Sequence, residues 1–209
     1  MDIRWLGHSS FQIKASDKII YIDPYKIKSA EGADVILITH GHYDHCSAED
    51  ISKIKKQGTV IIAPAGCSIR GEIIETIAPG QEKELGGISI KAYSAHNIAK
   101  PFHPKVNLWV GYLIRAGGKS VYHAGDTDFI PEMKDVKADI VLLPVGGTYT
   151  MDAKAAAQCA ALIKPKKAVP MHYGSVVGSK DDASEFKALC EKEGIEVEIL
   201  DPSSPAITI

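Results

Sequence analysis

Short apolar runs broken by glycine, proline or acidic residues dominate the chain, and most have the length of a strand. Near the start, Ile3–Leu6, Ser10–Lys14 and Lys18–Asp23 are rich in β-branched and aromatic residues, with Ala15-Ser16-Asp17 as a hairpin-like break. Asp34–Thr39 is almost continuously apolar, as expected of a strand covered on both faces, and Thr59–Ala63 repeats the pattern. The period changes over Ser47–Lys56, where Ile51 and Ile54 lie one turn apart among lysines. This predicts a helix capped by Ser47, with Asp50 three positions on. Residues 64–87 carry no clear period and receive no assignment.

In the second half, Gly87–Ser94, Asn107–Arg115 and Lys119–His123 read as strands, the last two joined by a Gly117-Gly118 turn. A short helix is predicted over Pro131–Val136, and a strongly apolar strand over Ala138–Val145 ends in Gly146-Gly147. Asp152–Ile163 is alanine-rich, with Thr150 or Asp152 as its cap, and reads as helix. Lys167–Met171 is a short strand, Ser179–Glu193 a helix stopped by Gly194, and Ile195–Leu200 a last alternating strand. Strands mixed with a few helices in both halves predict two sheets packed together with helices outside, an α/β four-layer αββα sandwich. Strands followed by helix occur twice over, which is compatible with an old duplication. No linker or low-complexity segment divides the chain, so residues 1–209 are expected to form one domain.

The length of 209 residues allows a substantial core, and 45% hydrophobic with 24% charged residues is ordinary for a soluble globular protein. A formal charge of −2 argues against broad attraction to nucleic acid or anionic membrane. Cys46, Cys67, Cys159 and Cys190 are far apart and form no C-x-x-C pair, which excludes a zinc ribbon or thioredoxin motif and fits a reducing compartment. No secretory signal and no run near the roughly 20 residues needed to span a bilayer are visible. A cytoplasmic protein is expected.

The chemistry concentrates in Thr39-His40-Gly41-His42-Tyr43-Asp44-His45, directly after an apolar run. Four metal-competent side chains within six positions would crowd unpaired polar groups together unless a cation holds them, at a cost of several kcal/mol. Imidazole nitrogens and carboxylate oxygens suit zinc, and also manganese or iron. His96, Asp126 and His172 each follow a predicted strand, the position where α/β folds collect their chemistry.

The set His-x-His-x-Asp-His, then His96, then Asp126 in Ala124-Gly125-Asp126-Thr127, then His172 in Pro170-Met171-His172-Tyr173 resembles the metallo-β-lactamase superfamily. More narrowly, the chain is similar to its small lactonase-like metal-dependent hydrolases, relatives of ascorbate-6-phosphate lactonase. Trp5-Leu6-Gly7-His8-Ser9-Ser10-Phe11, Ile22-Asp23-Pro24 and Leu143-Pro144-Val145-Gly146-Gly147 support the likeness. The resemblance implies that His40, His42 and His96 hold one metal, that Asp44, His45 and His172 hold a second, and that Asp126 bridges them. It implies two divalent ions, Zn2+ first and Mn2+ or Fe2+ as alternatives, activating a shared hydroxide. Asp44 and Asp126 are the expected catalytic carboxylates, Asp44 also as a candidate for passing protons to the leaving group. The expected substrate is a small anionic ester, lactone or phosphoester. A nuclease of the same fold is the first alternative, disfavoured because the 45 residues between Asp126 and His172 leave no room for an inserted nucleic-acid arm. An iron redox enzyme of the persulfide dioxygenase kind is the second. No membrane partner is expected, and homo-oligomerisation is left open.

Several residues carry two readings. Asp23 is either a hydrogen-bond partner of a ligand imidazole or a turn aspartate. His8 either stands near the metal face or is a structural turn histidine, the latter favoured; His123 is read as a buried core histidine; His103 either borders the substrate cleft or lies in a surface loop, the latter favoured. Tyr149 and Tyr173 either donate to a substrate oxygen or pack, and Cys46 is read as a small residue at a helix start.

Overall fold

The computed structural model describes residues 1–28 and 31–209. In chain order the elements are β1 (Asp2–Gly7), β2 (Ser10–Ala15), β3 (Lys18–Ile22), β4 (Ala33–Leu37), α1 (Ala48–Ile54), β5 (Lys55–Ala63), β6 (Ile74–Thr76) and β7 (Glu82–Leu85). There follow β8 (Ile88–Ser94), β9 (Val110–Ala116), β10 (Lys119–His123), β11 (Ile140–Pro144), α2 (Ala153–Ile163), β12 (Lys167–Met171), α3 (Lys180–Lys192), β13 (Glu196–Val197) and β14 (Ile207–Thr208). Single 3-10 turns occupy Lys105–Asn107 and Pro131–Asp135.

The strands form two seven-stranded mixed sheets, ordered β14-β1-β2-β3-β4-β5-β6 and β13-β12-β11-β10-β9-β8-β7. Each sheet is built alike. In the first, β14 to β3 pair antiparallel and β3 to β6 parallel. In the second, β7 to β10 pair antiparallel and β10 to β13 parallel. The side-chain period of two sorts residues between the layers. On β3 to β5, Ile20, Ile22, Val35, Leu37 and Ile62 turn inward to the inter-sheet core. Their neighbours Tyr21, Ile36, Ile61 and Ala63 turn outward onto Ile51 and Ile54 of α1. On the far side, α2 and α3 cover the second sheet with Ala156, Ala160, Ala183 and Phe186. The result is the expected α/β sandwich: helix, sheet, sheet, helices.

The two sheets are tied together beside the end of β4. The Tyr112 hydroxyl donates to the Ile38 carbonyl at 2.8 Å, and the Val110 N–H donates to the Thr39 carbonyl at 3.2 Å. This bonding holds the residues that follow β4 against β9. Among the described residues, no helix is long and apolar enough to cross a membrane.

The caps fall where the sequence places them: Ser47 on α1, Asp152 on α2, and a reciprocal Ser179–Asp182 capping box on α3. Several boundaries differ from expectation. The first helix stops at Ile54 instead of Lys56, and β5 begins at once at Lys55 because that residue is recruited as the partner of Ala33. The strand predicted over Ile195–Leu200 shrinks to Glu196–Val197, which pair with Lys167 and Ala168 of β12. Asn107 belongs to a 3-10 turn, and β9 starts at Val110. The unassigned stretch 64–87 contains β6 and β7, and β14 had no counterpart in the sequence reading.

Phe186 is fully buried between α3 and the second sheet. Phe186→Ala should therefore cost about 3–5 kcal/mol of unfolding free energy, read as a lower denaturant midpoint at unchanged slope. A loss below about 1 kcal/mol would contradict this packing.

Candidate metal centre

The parallel strands of both sheets aim their C-terminal ends at one region. From the first sheet, β3 leads to Asp23 and β4 leads through Thr39 to the turn His40–His45. From the second, β10 leads to Asp126 and β12 to His172. The turn is closed by the N–H groups of His45 and Cys46, both donating to the His42 carbonyl at 3.0 and 2.8 Å. His172 takes a left-handed backbone, φ 58°, and its carbonyl lies against Gly146 at the end of β11. A Cβ at position 146 would stand 2.3 Å from that oxygen, so only glycine lets the two loops meet.

Asp126, 4% exposed, is the point of convergence. Its Oδ2 lies 3.0 Å from His172 Nε2, 3.3 Å from His103 Nε2, 3.4 Å from His45 Nε2 and 4.0 Å from His40 Nε2. On one side of it stand His40, His42 and His103, with His40 Nε2 and His42 Nδ1 3.0 Å apart and both rings 5.0 Å from that of His103. On the other stand His8, Asp44, His45 and His172, each offering a donor atom within 4.8 Å of the others. His45 Nε2, His103 Nε2 and Asp126 Oδ1 are buried without a hydrogen-bond partner. Unpartnered buried donors this close together cost several kcal/mol unless a cation satisfies them. Ligand atoms about 2.0–2.2 Å from one divalent ion sit some 3–3.6 Å apart, which matches the spacing around Asp126. The donor set therefore fits divalent metal.

Hydrogen bonds behind the donors set their orientation. Asp23, fully buried, accepts from the Thr39 N–H at 2.8 Å and from the Thr39 hydroxyl at 2.6 Å, and meets His45 Nδ1 at 2.7 Å. Of its two readings, the partner of an imidazole is the one the geometry shows. Thr39 Oγ1 lies 3.0 Å from His40 Nδ1, and His103 Nδ1 faces Asn97 Oδ1 and the Tyr149 carbonyl at 3.1 and 3.2 Å.

Charge states suit ligation. Burial would raise the Asp126 carboxyl, but His172 and His45 beside it hold it well below the usual range. Asp44 also overcomes burial, held at about 2 chiefly by its hydrogen bond from His8. Burial, with His45 nearby, pushes His40 well below its ordinary value, so its imidazole is neutral and its nitrogens are free to ligate. His45 moves the other way: burial is outweighed by Asp126 and Asp23, which raise it well above the ordinary value. A cation at Nε2 would displace that proton. The centre opens into a cavity of about 220 Å³ walled by Tyr43, Phe102, Tyr149 and Val176, with no lysine or arginine in its lining among the described residues.

A model of the beta-lactamase superfamily domain matches residues 2–172, ending on the last of these donors. A UPF0173 metal-dependent hydrolase of Thermoplasma acidophilum is 37% identical, the match covering 98% of this chain and 97% of its own. The chain belongs to the UPF0173 metal-dependent hydrolase family of the metallo-β-lactamase superfamily. Two solved structures share its fold closely. A Parabacteroides distasonis protein named for metal-dependent hydrolysis superposes with a TM-score of 0.86 at 33% identity, covering 94% of this chain and 91% of its own. Igni18, a metallo hydrolase from Ignicoccus hospitalis, gives 0.79 at 26% identity, covering 99% and 97%.

In this UPF0173 member the structure brings together six of the seven residues expected at the centre: His40, His42, Asp44, His45, Asp126 and His172. His96 is the exception: the structure does not bring it to the donors. Its Nδ1 meets the Asn97 carbonyl at 3.1 Å, and its Nε2, buried without a hydrogen-bond partner, lies 3.7 Å from Glu132. The place beside His40 and His42 belongs to His103, which is 1% exposed and not a surface-loop residue. The loop after β8 folds back through Asn97, whose N–H donates to the His103 carbonyl at 2.7 Å, carrying the second histidine inward. His8 is a turn residue, as expected, but one that also reaches Asp44. His123 is the satisfied core histidine it was read to be: Nδ1 accepts from the Gly125 N–H at 3.1 Å, and Nε2 donates to the Ser9 carbonyl at 2.9 Å. Tyr149 lines the cavity, whereas Tyr173 stacks on Trp5 at 5.3 Å.

Proposed function

We propose that this chain is a binuclear hydrolase in which His40, His42 and His103 hold one divalent ion, Asp44, His45 and His172 hold the other, and Asp126 is shared. The observation that carries this reading is the single Asp126 oxygen within 4.0 Å of four imidazole nitrogens drawn from two donor groups. When bound, two such ions supply a hydroxide nucleophile near neutral pH and polarise the bond it attacks. The residues do the rest. Asp23 and Thr39 fix the imidazoles of His45 and His40, Asp126 keeps the two donor groups in register, and Asp44 at the cavity wall is the residue placed to pass a proton to the leaving group.

The cavity selects a small substrate. At about 220 Å³ it is smaller than most drug-sized sites, and Phe102 and Tyr149, edge to face at 4.7 Å, offer flat apolar walls. Two divalent ions against Asp44, Asp126 and one hydroxide leave a net charge of +1, which favours an anionic ester, lactone or phosphoester. With no lysine or arginine in the lining among the described residues, that attraction comes from the centre. Zinc is the first candidate ion, with manganese and iron next.

The test is a hydrolysis screen of zinc-, manganese- and iron-loaded protein against small lactones, phosphoesters and thioesters, with metal content measured on the same samples. Turnover requiring two ions per chain, and lost on chelation, is the expected result. Full activity with one ion per chain would remove the binuclear reading.

A further inference from the structure

We propose that His8 is a positioning residue for Asp44: its Nε2–H holds Oδ2 and so fixes the carboxylate beside the donors of the second ion, with Oδ2 3.8 Å from His45 Nε2. The proposal rests on the two-ion reading above and adds to it a residue from outside both expected donor groups. His8 Nε2 lies 2.9 Å from Asp44 Oδ2, the only side-chain hydrogen bond of Asp44 among the described residues. A carboxylate at neutral pH only accepts, so the shared hydrogen sits on Nε2 and the ring is the donor.

The surroundings show a histidine held for this contact. His8 is 3% exposed and stands in the left-handed region, φ 52°, directly after Gly7 at φ 111°. Non-glycine residues adopt that conformation at a cost and are kept there when neighbours over-determine them. Here the neighbours are the Trp5 indole, donating from Nε1 to the His8 carbonyl at 2.9 Å, and the His172 N–H, donating to the same oxygen at 2.9 Å. The second bond ties the turn between β1 and β2 to a candidate ligand. The His8 ring lies 4.2 Å from that of His172 and meets His45 edge-on at 5.4 Å.

The pattern of partners supports positioning over ligation. His40 has Thr39 behind it, His45 has Asp23 and His103 has Asn97. Asp44 has His8. Asp44, His45, His172 and the shared Asp126 already supply four donors to that ion, a full tetrahedral set for zinc. Such outer partners of ligands change metal affinity by about 10–100-fold when removed.

Three variants test this in the full chain. His8→Phe keeps an aromatic ring and removes the donor, His8→Asn suits the left-handed backbone but is too short to reach Asp44, and His8→Gln carries an N–H about as far as Nε2. Zinc is titrated against a chromogenic chelator, and visible spectra are taken after cobalt loading. One of two binding steps should weaken about 10–100-fold in His8→Phe and His8→Asn while the other stays within about threefold. His8→Gln should recover most of the loss, and the cobalt bands of the weakened site should shift and return in parallel. Wild-type-like affinities and spectra in both donor-less variants, with two ions bound to the parent, would overturn the role of His8 and leave the binuclear reading standing. A parent that binds one ion would overturn both.

Discussion

Asp126→Ala is expected to abolish hydrolysis, lowering kcat/KM by at least about a thousandfold, because charge stabilisation by a paired metal centre contributes several kcal/mol. The ground is positional. One Asp126 oxygen lies within 4.0 Å of imidazoles from both donor groups, its Oδ1 is buried without a partner, and among the described residues Asp44 is the other acidic side chain in the cavity lining. Asp126→Asn should keep the shape, lose the charge and fall nearly as far. Metal analysis of the purified variants should show fewer than two ions per chain. Activity within tenfold of the parent in Asp126→Ala would place the chemistry elsewhere.

The second large effect separates two histidines seven positions apart. His103→Ala should lower kcat/KM by about a hundredfold or more and deplete the ion shared with His40 and His42, since three-ligand sites tolerate the loss of a donor poorly. His96→Ala should stay within a few-fold, because its Nδ1 meets the Asn97 carbonyl and its Nε2 lies toward Glu132 and outside both donor groups. Zinc content and steady-state kinetics on both variants decide the matter, and the reverse ranking would restore His96 to the centre. Asn97 adds a check. Its side-chain oxygen receives the His103 N–H at 3.0 Å and its amide donates to the Tyr149 carbonyl at 2.9 Å, so Asn97→Ala should act in the same direction as His103→Ala, but more weakly.

The His96 and His103 pair shows where reading a chain stops. The donors at the ends of β4, β10 and β12 were legible because a long buried strand leaves little freedom in where its last residue points. His103 sits in a loop after β8, where direction is set by tertiary hydrogen bonds from Asn97 and not by any period. Its flanking Pro101 and Pro104 mark a stiff loop, yet they do not tell which way it turns. The same division holds for the fold. The helices α2 and α3 announce themselves through alanine content and caps at Asp152 and Ser179. By contrast β7 is Glu-Lys-Glu-Leu and largely exposed, and β14 has two residues. Both exist because a neighbouring edge offers backbone partners, which side-chain pattern does not encode. Lys55, read as part of the last turn of a helix ending at Lys56, became the start of β5 for the same reason.

One feature of the architecture reaches beyond catalysis. His40, His42 and His45 hang from one sheet and His103, Asp126 and His172 from the other, so cations bound among them would act as a clasp across the seam. Each tenfold rise in free ion above its dissociation constant would then add about 1.4 kcal/mol per site to the energy of prising the halves apart. Melting temperatures of this chain would accordingly report the ionic composition of the buffer as much as the quality of the core.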